Sequence, residues 1–410
     1  MSLNRNRILG LIICFTFICQ PGILAQLQVN GFVDSYHAVR IKAPNDFLSS
    51  RNRVRLETHL ELDNTYLFFS FNSLQNNVLS GLTGTELREA YFDYSSDNWD
   101  LRIGRQIIIW GKADGVQITD IISPYDMTEF LARDYDDIRT PVDAFKFRLL
   151  GDNMDMELVW LPQFHPGKMP GQNNPWRTES ADYSSYAQTT YLEGEEPEQK
   201  LTNSEIGGKL SIYLPGIDIS FSSFYTWSDF PVSNGRVSGD TLIIEPEYYR
   251  LTFIGAEFSK SLDDFVLRGE TAFFQGGRFS VENGNKPSLK KNYIKALIGA
   301  DWYPGDEWTV IIQLSDQFII DHEEYLADDN HDWLATLNVS KKLMRSTLTL
   351  SSFSYIGLNE KDLFNRSSVD YALSDEFHLL LGVDCFLGNE GTFGQFQDNS
   401  EVWIKAKYSF

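Results

Sequence analysis

The chain has 410 residues, a formal charge of −22 at pH 7 and 14% aromatic residues, among them 29 Phe and 19 Tyr. That charge argues against a nucleic-acid partner, which requires a basic face. Once the leader described next is removed, Cys385 is the one cysteine left, so no internal disulfide framework can form.

The chain opens with Arg5 and Arg7, followed by the apolar run ILGLIICFTFIC at 8–19 and then Pro21, Gly22 and Ala25. This run is too short to cross a bilayer as a helix, which takes about 20 apolar residues. A basic start, a short apolar run and a small residue are the layout of a secretory signal peptide. Residues 1–25 are therefore expected to be a leader cleaved after Ala25. No later stretch is long and apolar enough for a membrane helix, which leaves the closed barrel as the membrane-spanning option.

The segment at 51–62 reads RNRVRLETHLEL. One face carries Asn52, Val54, Leu56, Thr58, Leu60 and Leu62, and the other Arg51, Arg53, Arg55, Glu57, His59 and Glu61. A strand has a side-chain period of two, so this is a strand with one apolar and one charged face. A soluble sandwich rarely needs so charged an outer face. A porin-type barrel turns its apolar face to lipid and its charged face to a watery lumen. The same alternation recurs at 265–273, 308–317 and 402–410.

Turn formers separate the strands at Asp63-Asn64, 95–98, 151–153, Pro215-Gly216, 262–264, 304–306, 343–345 and Ser374-Asp375. Each supplies a fixed φ or tolerance of the left-handed region. Between these lie longer connections, at 76–85, 111–141, 162–203, 229–246, 278–290, 321–331 and 388–398. Strict alternation of short and long connections predicts an all-β transmembrane antiparallel barrel, with short turns on the periplasmic side and long loops outside. The count gives about 18 strands, with 16 as the alternative, in a single domain at 26–410. The segment at 162–203 is expected to be a large extracellular loop. The last strand, VWIKAKYSF, ends at Phe410, and a terminal Phe resembles the signal by which outer-membrane barrels are recognised by their insertion machinery.

A barrel this wide leaves an aqueous channel, so its chemistry lies in what lines or narrows that channel. The positions expected to face the lumen early in the chain are basic: Arg51, Arg53, Arg55, Arg88, Arg102, Lys146 and Arg148. Basic rings favour anions in a pore, although pairing with Glu57, Glu61, Glu86 or Asp100 would reduce them to wall. The connection at 111–141 is far longer than usual, and such loops are typically functional. It carries Lys112, Asp114, Asp120, Asp126, Glu129, Arg133, Asp134, Asp136, Asp137 and Arg139. It is expected to fold into the lumen and set acidic groups against the arginine wall; an external flap or a subunit contact is the alternative. Arg105 breaks the pattern, because its parity puts a charge on the lipid face at a cost of roughly 2–4 kcal/mol at the midplane. Either a bulge turns it or it sits near an interface.

GRQIIIWG at 104–111, followed by Asp120, SPYD at 123–126 and Arg139-Thr140-Pro141, resembles a porin-like outer-membrane family of unknown function. Its members carry GRQ-x-x-x-WG, an Asp, an Asn-Pro-x-Asp and an Arg-x-Pro. The matching motif residues are Gly104, Arg105, Gln106, Trp110, Gly111 and Pro124, and Ser123 stands where Asn is common. The resemblance implies an outer-membrane channel of unsettled substrate.

The six histidines show no metal-protease pairing, and Asp328, Asp329 and Asp332 lack the spacing of a calcium loop. No catalytic, metal or cofactor site is expected. The sequence thus points to a passive channel for small polar or anionic solutes, in contact with outer-membrane lipid. A plugged barrel serving a cell-envelope partner is the rival, a barrel hydrolase a weaker one, and the oligomeric state is open.

Overall fold

The computed structural model describes residues 27–132, 137–171, 173–178, 186, 188–282 and 284–410. The leader lies outside the described residues, as do Arg133, Asp134 and Asp136. In chain order the strands are β1 (Leu27–Arg40), β2 (Phe47–Leu62), β3 (Thr65–Asn76), β4 (Gly84–Ser95), β5 (Trp99–Gln106), β6 (Val142–Leu150) and β7 (Met154–Leu161). Then come β8 (Gln188–Tyr191), β9 (Glu205–Leu214), β10 (Ile217–Trp227), β11 (Val232–Ser238), β12 (Thr241–Glu247), β13 (Arg250–Leu262) and β14 (Phe265–Phe279). The last are β15 (Leu289–Trp302), β16 (Trp308–Ile319), β17 (His331–Leu343), β18 (Leu348–Gly357), β19 (Asp362–Ala372), β20 (Phe377–Leu387) and β21 (Glu401–Ser409).

Eighteen of these strands form one sheet, so the count is eighteen and not sixteen. Each is antiparallel to its neighbours. β1 pairs with β21 from Phe32↔Ser409 to Arg40↔Glu401 and closes the ring. Gly31 and Phe410 finish the seam by exchanging two N–H···O bonds of 2.9 Å. Closure leaves no strand edge unpaired, which a hydrocarbon environment demands.

Strand parity sorts the side chains as the sequence pattern expects. On β2, Arg51 is 4% exposed and Val54 44%. Phe69, Phe71, Ile298, Ile312, Val402 and Ile404 make the outer surface apolar. At the end holding both termini the connections are tight, with Asp63 and Asp263 in the left-handed region at φ 48°. At the other end most connections are long, but 41–46 and 358–361 are short, so the expected strict alternation breaks there. The segment at 162–203 is not wholly irregular. Its strand β8 lies parallel to β12 and completes a three-stranded sheet with β11 above the barrel.

The wall is uneven in height. β5 has 8 residues and β2 has 16, or about 26 and 53 Å of strand at roughly 3.3 Å per residue. The connection at 107–141 leaves from this low side. Arg105 is the last residue but one of β5, so it sits at the rim. Its Nε donates to Leu87 O at 3.1 Å and its Nη1 lies 4.0 Å from Asp143 Oδ2.

A bulge does exist, one strand away. The β3–β4 register shifts between Ser70↔Glu89 and Phe71↔Leu87, which leaves Arg88 unpaired. Phe92 faces out, 38% exposed, and simple parity would put Arg88 beside it. The extra residue turns Arg88 inward instead, where it is 8% exposed.

The interior at the long-loop end is not simply polar. Ile108, Trp110, Ile118 and Ile122 pack against Phe224, Phe253 and Phe274 of the wall. Across the barrel, Ala132 and Trp176 pack against Phe364, Phe386, Phe393 and Phe396.

Gly104 on β5 has φ +130°, and an added Cβ would lie 2.3 Å from Ala90 O. Gly104→Ala should therefore lower the unfolding temperature of the barrel in detergent, at a cost of roughly 1–3 kcal/mol. Gly81→Ala, with open space around it, should leave that temperature unchanged. Circular dichroism melts of the two variants check this.

Candidate functional site

Backbone polar groups drawn into a barrel need partners there, and the segment at 107–141 carries its own. Ile107 N donates to Glu89 Oε1 at 2.9 Å, Ile108 N to Ser123 Oγ at 2.9 Å and Trp110 N to Asp120 Oδ1 at 3.1 Å. Arg139 grips Asp120 through Nε at 2.7 Å and Nη2 at 2.6 Å. Pro124 O accepts from Thr140 N at 2.8 Å and Thr140 Oγ1 at 2.9 Å. Gln106, fully buried, donates to Ala144 O at 3.0 Å. The residues that carry the family resemblance are thus the internal frame of this segment. Ser123 serves in it with its hydroxyl.

The frame is fastened to the wall all round. Glu270 on β14 accepts from the backbone N–H groups of Lys112, Ala113 (2.6 Å) and Thr119 (3.2 Å), and from Thr119 Oγ1 at 2.8 Å. The turn that presents those groups needs Gly111, whose φ is +87° and whose Cβ would lie 2.7 Å from Thr119 Oγ1. Trp110 Nε1 donates to Glu157 on β7 at 2.6 Å. Opposite, Tyr355 OH on β18 donates to Gly115 O at 2.6 Å, and Arg366 Nη2 on β19 donates to Ala132 O at 2.9 Å. On β2, Ser49 Oγ and Arg51 Nη1 donate to Glu129 at 2.8 and 2.5 Å. Partners on β2, β7, β14, β18 and β19 show that the segment crosses the interior of the barrel.

One of its carboxylates, Asp137, meets three arginines together. Asp137 accepts from Arg53 Nη1 and, at 2.7 Å, from Arg55 Nη2, with Arg88 Nη2 3.5 Å away. Asp34 on β1 holds Arg53 from the other side, at 3.0 and 2.5 Å. Burial pushes the Asp137 carboxyl up, but Arg53, Arg55 and Arg88 override it and hold the group well below the usual carboxylate range. Asp120 goes the other way. Burial raises it to about 6 despite Arg139 and the Trp110 N–H.

Two cavities flank this cluster. One, of about 380 Å³, is lined by Gly81, Thr85, Glu86, Arg88 and Lys168 and lies toward the long loops. The other, of about 620 Å³, is lined by Phe32, Phe353, Arg366, Lys405 and Lys407 and lies toward the short turns. Arg53, Arg55 and Asp137 line both, so they form the partition between them.

The remaining expected residues are spread out. Arg102 sits over the Tyr91 ring at 4.2 Å and bonds Asp93 at 2.5 Å. Arg148 bonds Asp100 at 2.5 Å, and Lys146 lies opposite Arg102 in the strand register. Lys112 reaches Asp218 at 3.6 Å, Asp114 pairs with Arg268 at 3.3 Å and Asp126 with Lys168 at 3.5 Å. Sequence reading missed Phe32, Arg366, Lys405 and Lys407. The two lysines alternate with apolar residues in β21, so their signal was present. Nothing in the weaker periodicity of β19 singled out Arg366.

The raised Asp120 value gives a signed expectation. Between the ordinary 3.8 and about 6 the folded state holds a proton that the unfolded chain has lost. This group's contribution is greatest at low pH and is lost as pH rises through that window, by about 3 kcal/mol. Melts of wild type and Asp120→Asn from pH 4 to 7 should diverge across the window. Parallel profiles would show that Asp120 titrates normally.

Residues 38–410 match the model of the DUF1302 family, described as protein of unknown function. No curated protein matches the chain. Among solved structures the chain is similar to OccK3 (OpdO) of Pseudomonas aeruginosa, with 11% identity over 95% of this chain and 96% of that one and a TM-score of 0.54. It is also similar to the outer membrane channel DcaP of Acinetobacter baumannii, with 12% identity over 94% and 97% and a TM-score of 0.46. A third likeness is to Salmonella typhi OmpF, with 8% identity over 94% and 97% and a TM-score of 0.48. At such identities the likeness speaks to the fold, a porin-like β-barrel. With nearly the whole barrel matched, the chain belongs to the DUF1302 family.

Proposed function

We propose that this chain is a passive outer-membrane channel of a Gram-negative cell that favours small anionic solutes. The supporting observation is the partition: Arg53, Arg55 and Asp137 stand between two cavities that open toward opposite ends of the barrel. Among the described residues, the guanidiniums of Arg51, Arg53, Arg55 and Arg88 gather here, in ion pairs with Asp34, Glu129 and Asp137. Such a gathering of basic groups on the wall of a pore favours anions. The segment at 107–141 acts as the constriction, because its frame sets how far Asp137 reaches into the lumen. In this reading the short turns face the periplasm and the long loops the medium.

A plugged barrel is the second reading. It is favoured by the two apolar clusters that seat the segment on both sides.

Planar-bilayer recording in a salt gradient separates the two. Wild type should conduct and prefer chloride over potassium. The double variant Arg53→Gln, Arg55→Gln should at least halve that preference, and Asp137→Asn should strengthen it. Removing 114–137 should raise the conductance. A wild-type barrel that stays silent while the deletion conducts would establish the plug, and reversal potentials unmoved by the arginine changes would sink the anion filter.

A further inference from the structure

The chamber of about 620 Å³ beside the partition has two unlike walls. One is Phe32 of β1, which parity turns into the lumen where a watery pore calls for a polar residue. Three cations crowd against its ring: Lys407 Nζ at 4.5 Å, Arg53 Cζ at 4.8 Å and Arg55 Cζ at 5.1 Å. Arg53 and Arg55 are held by Asp34 and Asp137. Lys407 has no ion-pair partner among the described residues and keeps its ammonium free.

The other wall is apolar. Phe353 and Tyr355 meet edge to face at 4.7 Å and 72°. The Tyr355 hydroxyl is fixed on Gly115 O at 2.6 Å. Leu131 and Ile138 of the infolded segment and Ile311 of β16 extend this surface. Asp114 is the carboxylate on this side, and Arg268 occupies it at 3.3 Å.

Chloride or phosphate has no apolar surface to set against an aromatic wall, and a neutral sugar has no charge to pair with an ammonium. We propose that the chamber binds aromatic monocarboxylates, with the carboxylate on Lys407 and the ring between the Phe32 edge and the Phe353–Tyr355 pair. The volume lies within the roughly 300–1,000 Å³ of ordinary ligand sites, which leaves room for a solute to slide. Such a site holds its solute weakly enough to release it, as conduction requires. The assignment rests on the channel reading for its role in transport, and the binding step can be tested apart from it.

The test uses the full barrel in planar bilayers carrying chloride current, with phenylacetate, acetate and phenethylammonium as probes. Phenylacetate should block the current transiently, at concentrations about tenfold below acetate, and phenethylammonium should not block. Lys407→Gln should weaken the phenylacetate block by about tenfold, as loss of one charge-assisted hydrogen bond does. Phe353→Leu should bring phenylacetate to the level of acetate. Equal block by phenylacetate and acetate in wild type, or a phenylacetate block untouched by both variants, would overturn the proposal. Equilibrium dialysis of phenylacetate against the barrel in detergent keeps the two readings apart. Binding without current defeats the channel and keeps the chamber, whereas current without discrimination defeats the chamber alone.

Discussion

A peptide segment that leaves the rim of a barrel and enters its interior trades water for protein at every N–H and C=O. That trade is favourable only if each group finds a partner, because a buried orphan costs about 1–3 kcal/mol. Here the wall supplies carboxylates as acceptors. Glu270 collects the N–H groups of Lys112, Ala113 and Thr119, and Glu89 takes that of Ile107. Within the segment, Asp120 and Ser123 serve Trp110 and Ile108. With those bonds made, two apolar clusters close on either side, and Asp137 is delivered to the arginines of β2 and β4.

The two acids of the segment show how one interior treats charge in opposite ways. Asp137 has three guanidiniums about it and stays ionised far into acid. Asp120 has one guanidinium and a deep, mostly apolar setting, and burial prevails. The first acid faces open cavities and can act on what passes. The second is a strut, and its proton is a matter of how the frame holds together.

Much of the barrel was legible because its rule is local. A period of two sorts Arg51, Arg53 and Arg55 from Val54 and Leu56 with no knowledge of neighbours, and Asp63-Asn64 announces its own turn. The inward placement of Arg88 was read from its charge, yet the backbone reason, an unpaired residue opposite Ser70 and Phe71, is a property of two strands together. The odd parity of Arg105 was visible, but its resolution needed the place where β5 stops. Aromatic residues are ambiguous in another way. Many girdle the outside, but Phe32, Tyr36, Phe224, Phe253, Phe364 and Trp403 point inward. Composition cannot tell a lipid-facing ring from one that packs against an infolded segment. The motif at 104–141 was found as a motif, and only the contacts reveal that it builds a frame.

The unequal height of the wall reaches beyond the pore. β5, β6 and β7 have 8, 9 and 8 residues, against 14 and 16 in β1 and β2. Where an apolar flank is shorter than the hydrocarbon the bilayer thins, at a fraction of a kcal/mol for each ångström of mismatch. Headgroups then descend toward the outward trio of Arg105, Asp143 and His165, linked at 4.0 and 3.1 Å. The same low side that sends its connection into the lumen thus carries these charged groups at its outer rim. An elastic penalty of that kind is relieved where two such flanks lie together.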